Sequence, residues 1–303
     1  DAYGDKASIK NSKSIRHVFG NIQGLAQNTY GEKDAMIWQT LSDLQADHAG
    51  LTELNQNMIA CPAEYRLHER LKSCRIHPRR ATTATNRRGP NTHSHQWGGC
   101  ASISFSTLTP RLLESTVDPI GLGRWCSQQF GGKHLHKFRI VTAYFPNKSS
   151  GKGTVWTQHR SYLNHTLQHT PHSPHQTDPH RVMIRDLCAT LEGWQKDGEL
   201  IVLSMDANCD VRSSHLSKAL RRIGFEEQIT GRHGPHSPPP ATHEANQSGT
   251  PIDGIWTNFG HGTLRCGYLG FREGLRGDHR TAWIDIPYHT AFGYIPPHIH
   301  KVF

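Results

Sequence analysis

Leu200-Ile-Val-Leu-Ser-Met-Asp-Ala-Asn208 is a short apolar run that ends abruptly in an acid and an amide. A run of this length, set off by Gly198 and carrying branched side chains on consecutive positions, reads as a strand buried on both faces. Asp206 and Asn208 then sit where that strand stops, and the same arrangement recurs along the chain. Ile15-Arg-His-Val-Phe19 predicts a strand that ends at Gly20-Asn-Ile-Gln-Gly24, and Ala49-Gly-Leu-Thr-Glu53 predicts one that ends in an acid. Phe138-Arg-Ile-Val-Thr-Ala-Tyr144 predicts another, stopped by Pro146. Gly98 to Phe105 is small and alternating, Pro251-Ile-Asp-Gly-Ile-Trp256 carries Asp253, and Thr281-Ala-Trp-Ile-Asp-Ile286 follows Asp278-His279.

Helical periodicity marks Lys33 to His48, with Met36, Ile37, Leu41 and Leu44 on one face, and also Arg181 to Lys196 and Leu216 to Ile223. Residues 1–14 read as a flexible arm, 15–288 as one α/β domain built around two sheets, and 289–303 as a Pro/His-rich tail. Ser149 to His180, rich in Gly, Ser, Thr, Pro and His, reads as a loop. Its six histidines (159, 165, 169, 172, 175, 180) have no cysteine or acid to complete a zinc tetrahedron, so they read as biased composition.

At 303 residues, a mean hydropathy of −0.64 leaves a polar but globular chain, long enough for a full core. No apolar stretch approaches the roughly 20 residues of a membrane-spanning helix, which with the irregular patterning excludes a helical membrane protein, a collagen and a coiled coil. Seven cysteines without a C-x-x-C pair form neither a disulfide framework nor a zinc finger and point to a reducing, intracellular setting.

The net charge is +9, and much of it lies in one stretch. Arg66, Arg70, Lys72, Arg75, Arg79, Arg80, Arg87 and Arg88 face a single acid, Glu69, which makes a polyanion the natural partner. The stretch reads as a mobile loop gripping a nucleic-acid backbone, with Arg79, Arg80, Arg87 and Arg88 as the DNA-binding candidates. Asn21, Glu53, Tyr144, Asp206, Asn208, Asp253, Asp278 and His279 all lie at predicted strand ends. Strand ends from distant positions can converge on one edge of a sheet, and a cleft of acids and amides suits a hard divalent ion and a phosphate.

Six segments in this order resemble the endonuclease/exonuclease/phosphatase superfamily, the DNase-I-like fold. They are Gly20-Asn-Ile-Gln-Gly-Leu25, Gly50-Leu-Thr-Glu-Leu-Asn55, Ala143-Tyr-Phe-Pro-Asn147, Ser204-Met-Asp-Ala-Asn208, Pro251-Ile-Asp-Gly-Ile255 and Gly277-Asp-His-Arg280. Within the superfamily the likeness is greatest to endonuclease domains of non-LTR retrotransposons and to abasic-site endonucleases. It runs from about Ile15 to Ile286.

The resemblance implies a four-layered α/β sandwich, two packed mixed sheets flanked by helices, with the site at one end. It also implies Mg²⁺ as cofactor, with Mn²⁺ as a substitute, DNA as partner and a nuclear location; no membrane or protein partner is implied. Glu53 would hold the metal with Asn21 and Asp278. Asp206 would activate the attacking water, with Asn208 beside it, and His279, oriented by Asp253, would contact the phosphate together with Tyr144 and Asn147.

Four positions depart from the pattern: Gln23 replaces an aspartate, Met205 a glycine, Gly277 a serine and Pro251 an arginine. The implied activity is nicking of DNA to leave a 3′-hydroxyl, in the setting of a retroelement. Two alternatives share these residues: a phosphodiesterase or phosphatase acting on RNA, phosphoinositide or phospholipid, and a decayed domain that only binds nucleic acid.

Overall fold

The computed structural model describes residues 1–26, 31–89, 93–167, 176–246, 249–260 and 265–294. Two mixed sheets pack face to face. The first has the order β1 (Tyr3–Gly4), β12 (Arg265–Tyr268), β13 (Ala282–Pro287), β2 (Ser14–Asn21), β3 (His48–Thr52), β5 (Cys100–Phe105), β4 (Arg79–Ala84). The second has the order β10 (Glu226–Glu227), β11 (Asp253–Thr257), β9 (Leu200–Asp206), β8 (Lys137–Tyr144), β7 (Trp125–Gly131), β6 (Leu112–Val117). This is the expected α/β sandwich.

Strand parity explains both the layers and the position of the polar ends. Along β9, Ile201, Leu203 and Met205 face outward into a cluster with Met183, Leu187 and Leu191 of α4 (Pro179–Lys196) and Leu216 and Leu220 of α5 (His215–Arg222). Each such buried side chain contributes on the order of 1.5–3 kcal/mol. Val202 turns the other way, into the core between the sheets with Ile15, Phe19, Ile140, Ile255 and Ile284. Period 2 therefore puts Asp206 on the inner face of its sheet and Asn21 on the inner face of the other. Behind the first sheet, Ile37, Trp38 and Leu41 of α1 (Glu32–Asp43) pack on Val18, Leu51 and Trp283. Asp178 caps α4 by accepting from the Arg181 N–H at 3.0 Å.

Several expected boundaries shift. The first helix stops at Asp43, because His48 is already the start of a strand. Part of the Ser149–His180 loop is α3 (Val155–Leu167), which buries Trp156, His159 and Leu163; 168–175 lie outside the described residues. The arm at 1–14 is fastened: Tyr3 and Gly4 pair with Tyr268 and Gly267, and Lys10 reaches Asp47 at 2.5 Å. The tail begins as α7 (Tyr288–Phe292), with Phe292 fully buried, and its last residues, 295–303, lie outside the described residues.

The basic stretch is not one loop. It holds α2 (Leu67–Arg70) and the edge strand β4, while its presumed mobile boundary, 90–92, lies outside the described residues. Arg70 is fully buried in an ion pair with Asp34, so its charge is spent inside the fold.

Candidate active site

The inner-face ends of six segments meet at one end of the sandwich. In the second sheet, Asp253 pairs across to Asp206 and Asp206 to Tyr144, so three candidates stand in a row on adjacent strands. In the first sheet, Asn21 pairs with Thr52, which places Glu53 immediately beyond. Ala282 pairs with Phe19, which brings His279 in beside Asn21.

Hydrogen bonds join the two rows. Asn21 Nδ2 donates to Asp206 Oδ2 at 2.9 Å and lies 3.3 Å from His279 Nε2. His279 Nδ1 donates to Asp253 Oδ2 at 2.8 Å. Its Nε2 faces Asp206 Oδ2 at 4.0 Å and Asp278 Oδ1 at 3.9 Å. The buried phenol of Tyr144 is in hydrogen-bonding reach of Glu53 and Asn208, and Asn208 also donates to the Phe145 carbonyl at 2.8 Å. Asn147 is exposed beyond β8 and makes none of these bonds.

Three backbones at the site are left-handed without being glycine: Gln23 at φ 48°, Glu53 at φ 51° and Asn208 at φ 44°. Such conformations cost energy, and a fold keeps them where a side chain must be aimed. For Glu53 the reversal follows directly on the last strand residue and keeps the carboxylate at the cleft.

Charge is crowded here. Burial, then the neighbouring Asp253 carboxylate, pushes Asp206 up to about 8, and Glu53 adds to the effect. Burial works against a charge on His279, but Asp253 and Asp206 outweigh it and raise the imidazole to about 10. His279 is thus a buried cation at neutral pH. Even with Asp206 protonated, the carboxylates of Glu53, Asp253 and Asp278 outnumber the one imidazolium, and the donors are oxygens, so the set fits a hard divalent cation. Among the described residues, Asp206, Asp253 and His279, and likewise His243, Asp278 and His279, bring their ligand atoms within 4.8 Å of one another.

Two groups had no signal in the sequence. His243 Nε2 lies 3.3 Å from Asp278 Oδ2, and its ring packs edge-on against His279 at 4.7 Å. Lys33 donates to the Gln23 carbonyl at 3.2 Å. Gln23, which stands where a carboxylate was expected by resemblance, donates to Asp278 Oδ2 at 2.9 Å.

The four arginines separate. β4 runs parallel to β3, and Ala84 pairs with Cys100, which pairs with Thr52. Arg87 and Arg88 therefore follow the strand at the site end. Arg79 and Arg80 open it at the far end, about 17 Å away along the strand. Arg79 there packs on His77 and donates to the Lys72 carbonyl.

A cleft of about 750 Å³ that the sequence did not reveal borders the site between α4 and α5. Phe145, Ile184 and Leu216 form its apolar floor, and Arg181, Arg185 and Arg222 its basic rim. The His180 ring stacks on Phe145 at 4.2 Å.

No protein-family model and no curated protein sequence matches the chain. Solved structures do. The human Nocturnin catalytic domain with bound sulfate is similar at 17% identity and a TM-score of 0.60, over 94% of this chain and 95% of that one. The Xenopus laevis APE2 catalytic domain is similar at 15% identity and a TM-score of 0.60, over 93% and 95%. The 3′ phosphatase NExo from Neisseria, bound to product DNA hairpin, is similar at 13% identity and a TM-score of 0.60, over 89% and 98%. The chain has the endonuclease/exonuclease/phosphatase, or DNase-I-like, fold.

Proposed function

We propose that this protein is a divalent-cation-dependent nuclease that hydrolyses a DNA phosphodiester, leaving a 3′-hydroxyl and a 5′-phosphate, and that it serves as the endonuclease module of a retroelement. The observation that carries the reading is the convergence of Asp206, Asn208, Asp253, His279, Asn21, Tyr144 and Glu53 on one cleft around a buried imidazolium. Mg²⁺, or Mn²⁺ in its place, would supply Lewis acidity toward the phosphate when bound by Glu53, Asn21 and Asp278.

The chain's own groups account for the rest. Asp206, which burial and Asp253 make a stronger base than an ordinary aspartate, is suited in its ionised form to take the proton of an attacking water, and Asn21 orients its carboxylate. His279, kept cationic by Asp253, presents its Nε2 proton to a non-bridging phosphate oxygen. Tyr144 and Asn208 donate on the other side of the cleft. The basic-rimmed groove beside Asn208 and the Arg87–Arg88 corner supply charge for a polyanionic strand, which favours nucleic acid over a small phosphoester. A DNA substrate would place the protein in the nucleus.

Supercoiled plasmid incubated with Mg²⁺ tests the reading. The intact protein should produce nicked circles, while Glu53→Gln and His279→Ala should lose at least about a hundredfold in rate. Nicking that survives in both variants, or turnover of a small phosphodiester without any plasmid cleavage, would refute it.

A further inference from the structure

At the open edge of the sandwich, away from the nuclease cleft, an acid, an imidazole and a thiol meet without a role in the chemistry above. We propose that Asp5, His233 and Cys266 form a structural zinc site that fastens the N-terminal edge strand β1 and α6 (Ile229–His233) to its neighbour β12.

The three ligand atoms come from three separate parts of the chain and lie within 4.8 Å of one another. His233 Nε2 is 3.6 Å from Asp5 Oδ2 and 4.0 Å from Cys266 Sγ. In a tetrahedral zinc site, nitrogen and oxygen ligands stand about 3.3 Å apart and nitrogen and sulfur about 3.6 Å. The observed spacings exceed these by only a few tenths of an ångström, so small side-chain rotations close the site.

The direction of approach separates a metal site from a nucleophile triad. In a triad the acid holds one ring nitrogen and the nucleophile the other. Here acid and thiol converge on the same nitrogen, Nε2, as ligands of one ion do. The backbone brings them together: Gly4, at φ 88°, pairs with Gly267 beside Cys266. A Cβ at Gly4 would lie 2.9 Å from His233 Cδ2 and 2.8 Å from the Cys266 carbonyl. Only glycine admits the imidazole this close to the strand.

Charge balances as well. A thiolate and the Asp5 carboxylate neutralise both charges of Zn²⁺, and a water completes four-coordination through the partly exposed Asp5 and His233 side. Burial first, then Glu227, raises the Cys266 thiol far above its ordinary value, so the metal-free thiol is protonated. Binding therefore forms an S–Zn bond, breaks the S–H bond and releases one proton to solvent. Arg232, now 3.9 Å from Asp5 Oδ2, is the counter-charge the ion replaces.

Titration of the full chain with Co²⁺ alone tests the site. A near-ultraviolet thiolate-to-cobalt charge-transfer band with intense tetrahedral d–d bands should saturate near one equivalent, bleach on addition of Zn²⁺ and persist in Glu53→Gln and Cys209→Ser. Asp5→Asn and His233→Gln, both at partly exposed positions, should weaken Co²⁺ binding by at least about tenfold with unchanged circular dichroism. Cys266→Ser should remove the charge-transfer band. Absence of that band in the intact chain, or a band undiminished in both Asp5→Asn and His233→Gln, would overturn the assignment whatever the outcome of the nuclease assay.

Discussion

Mild acid should destabilise this protein through two histidines that take no part in the candidate site. His17 and His48 stand on neighbouring parallel strands, fully buried between the sheets, with their Nδ1 atoms 2.9 Å apart. One ring donates and the other accepts, so the pair is neutral. Burial lowers His17 to about 3, and burial together with His17 holds His48 well below its ordinary value; no carboxylate contributes to either shift. A group whose folded pKa lies below its unfolded value of about 6.5 binds fewer protons in the native state. Its stabilisation is therefore whole above about pH 6.5 and is lost as pH falls toward 3. At pH 5 the loss for His17 alone is about 2 kcal/mol, and His48 adds to it in the same direction, against a total stability of roughly 5–15 kcal/mol. His159, lowered to about 4 by burial, adds about 2 kcal/mol more in the same direction. Asp206, raised to about 8, has the opposite sign: the native state takes up its proton first, which restores about 2 kcal/mol between pH 6.5 and 5. A comparison of variants isolates the pair. Urea unfolding followed by tryptophan fluorescence at pH 7 and pH 5 should show the intact protein losing at least about 2 kcal/mol more than His17→Asn/His48→Gln. Equal losses in the two proteins would refute the argument.

Arg87→Gln/Arg88→Gln should flatten the dependence of log K on log salt for duplex binding by roughly 1.8, whereas Arg79→Gln/Arg80→Gln should leave it within error; filter binding across a salt series measures both, and the reverse pattern would show that the far end grips the DNA. Gly50→Ala should destabilise by about 1–3 kcal/mol in thermal unfolding, because its new Cβ would stand 2.7 Å from Thr142 Oγ1 and 3.1 Å from Ser204 Oγ, across the gap between the sheets.

The strands that carry the cleft were legible because each combines an apolar run with an abrupt polar stop, and parity then dictates which way the stop faces. The α/β class and the two sheets followed from such runs, and the DNase-I-like sandwich from the resemblance carried by six segments. What escaped was whatever had no local pattern. β6 carries Leu112, Leu113 and Glu114 on a half-exposed edge strand with a register shift, so no clean alternation marks it. β7 reads Trp-Cys-Ser-Gln-Gln-Phe-Gly, and its polar residues are buried on both faces: Gln128 donates across the gap between the sheets to the Arg80 carbonyl and Thr82, while on the other face Gln129 donates to Glu199 and Ser127 accepts from Arg139. Composition counts such residues as loop or surface; packing makes them core.

The basic stretch misled for a related reason. Charge counted along a sequence does not distinguish a cation offered to solvent from one committed to the fold, and Arg70, Arg79 and Arg87 meet three different fates within 18 residues. Arg70 neutralises Asp34 in the interior, Arg79 stands at the far end of an edge strand, and Arg87 with Arg88 follows that strand at the site end. The cleft between α4 and α5 is the converse case. Arg181, Arg185 and Arg222 are scattered over 42 positions and form no run, yet the start of α4 and the last turn of α5 bring them to the cleft that Phe145 lines. For a protein that must hold a polyanion, three-dimensional convergence of isolated arginines is the stronger sign. It places charge beside the candidate site, where a run along one edge strand spreads it over some 17 Å of surface.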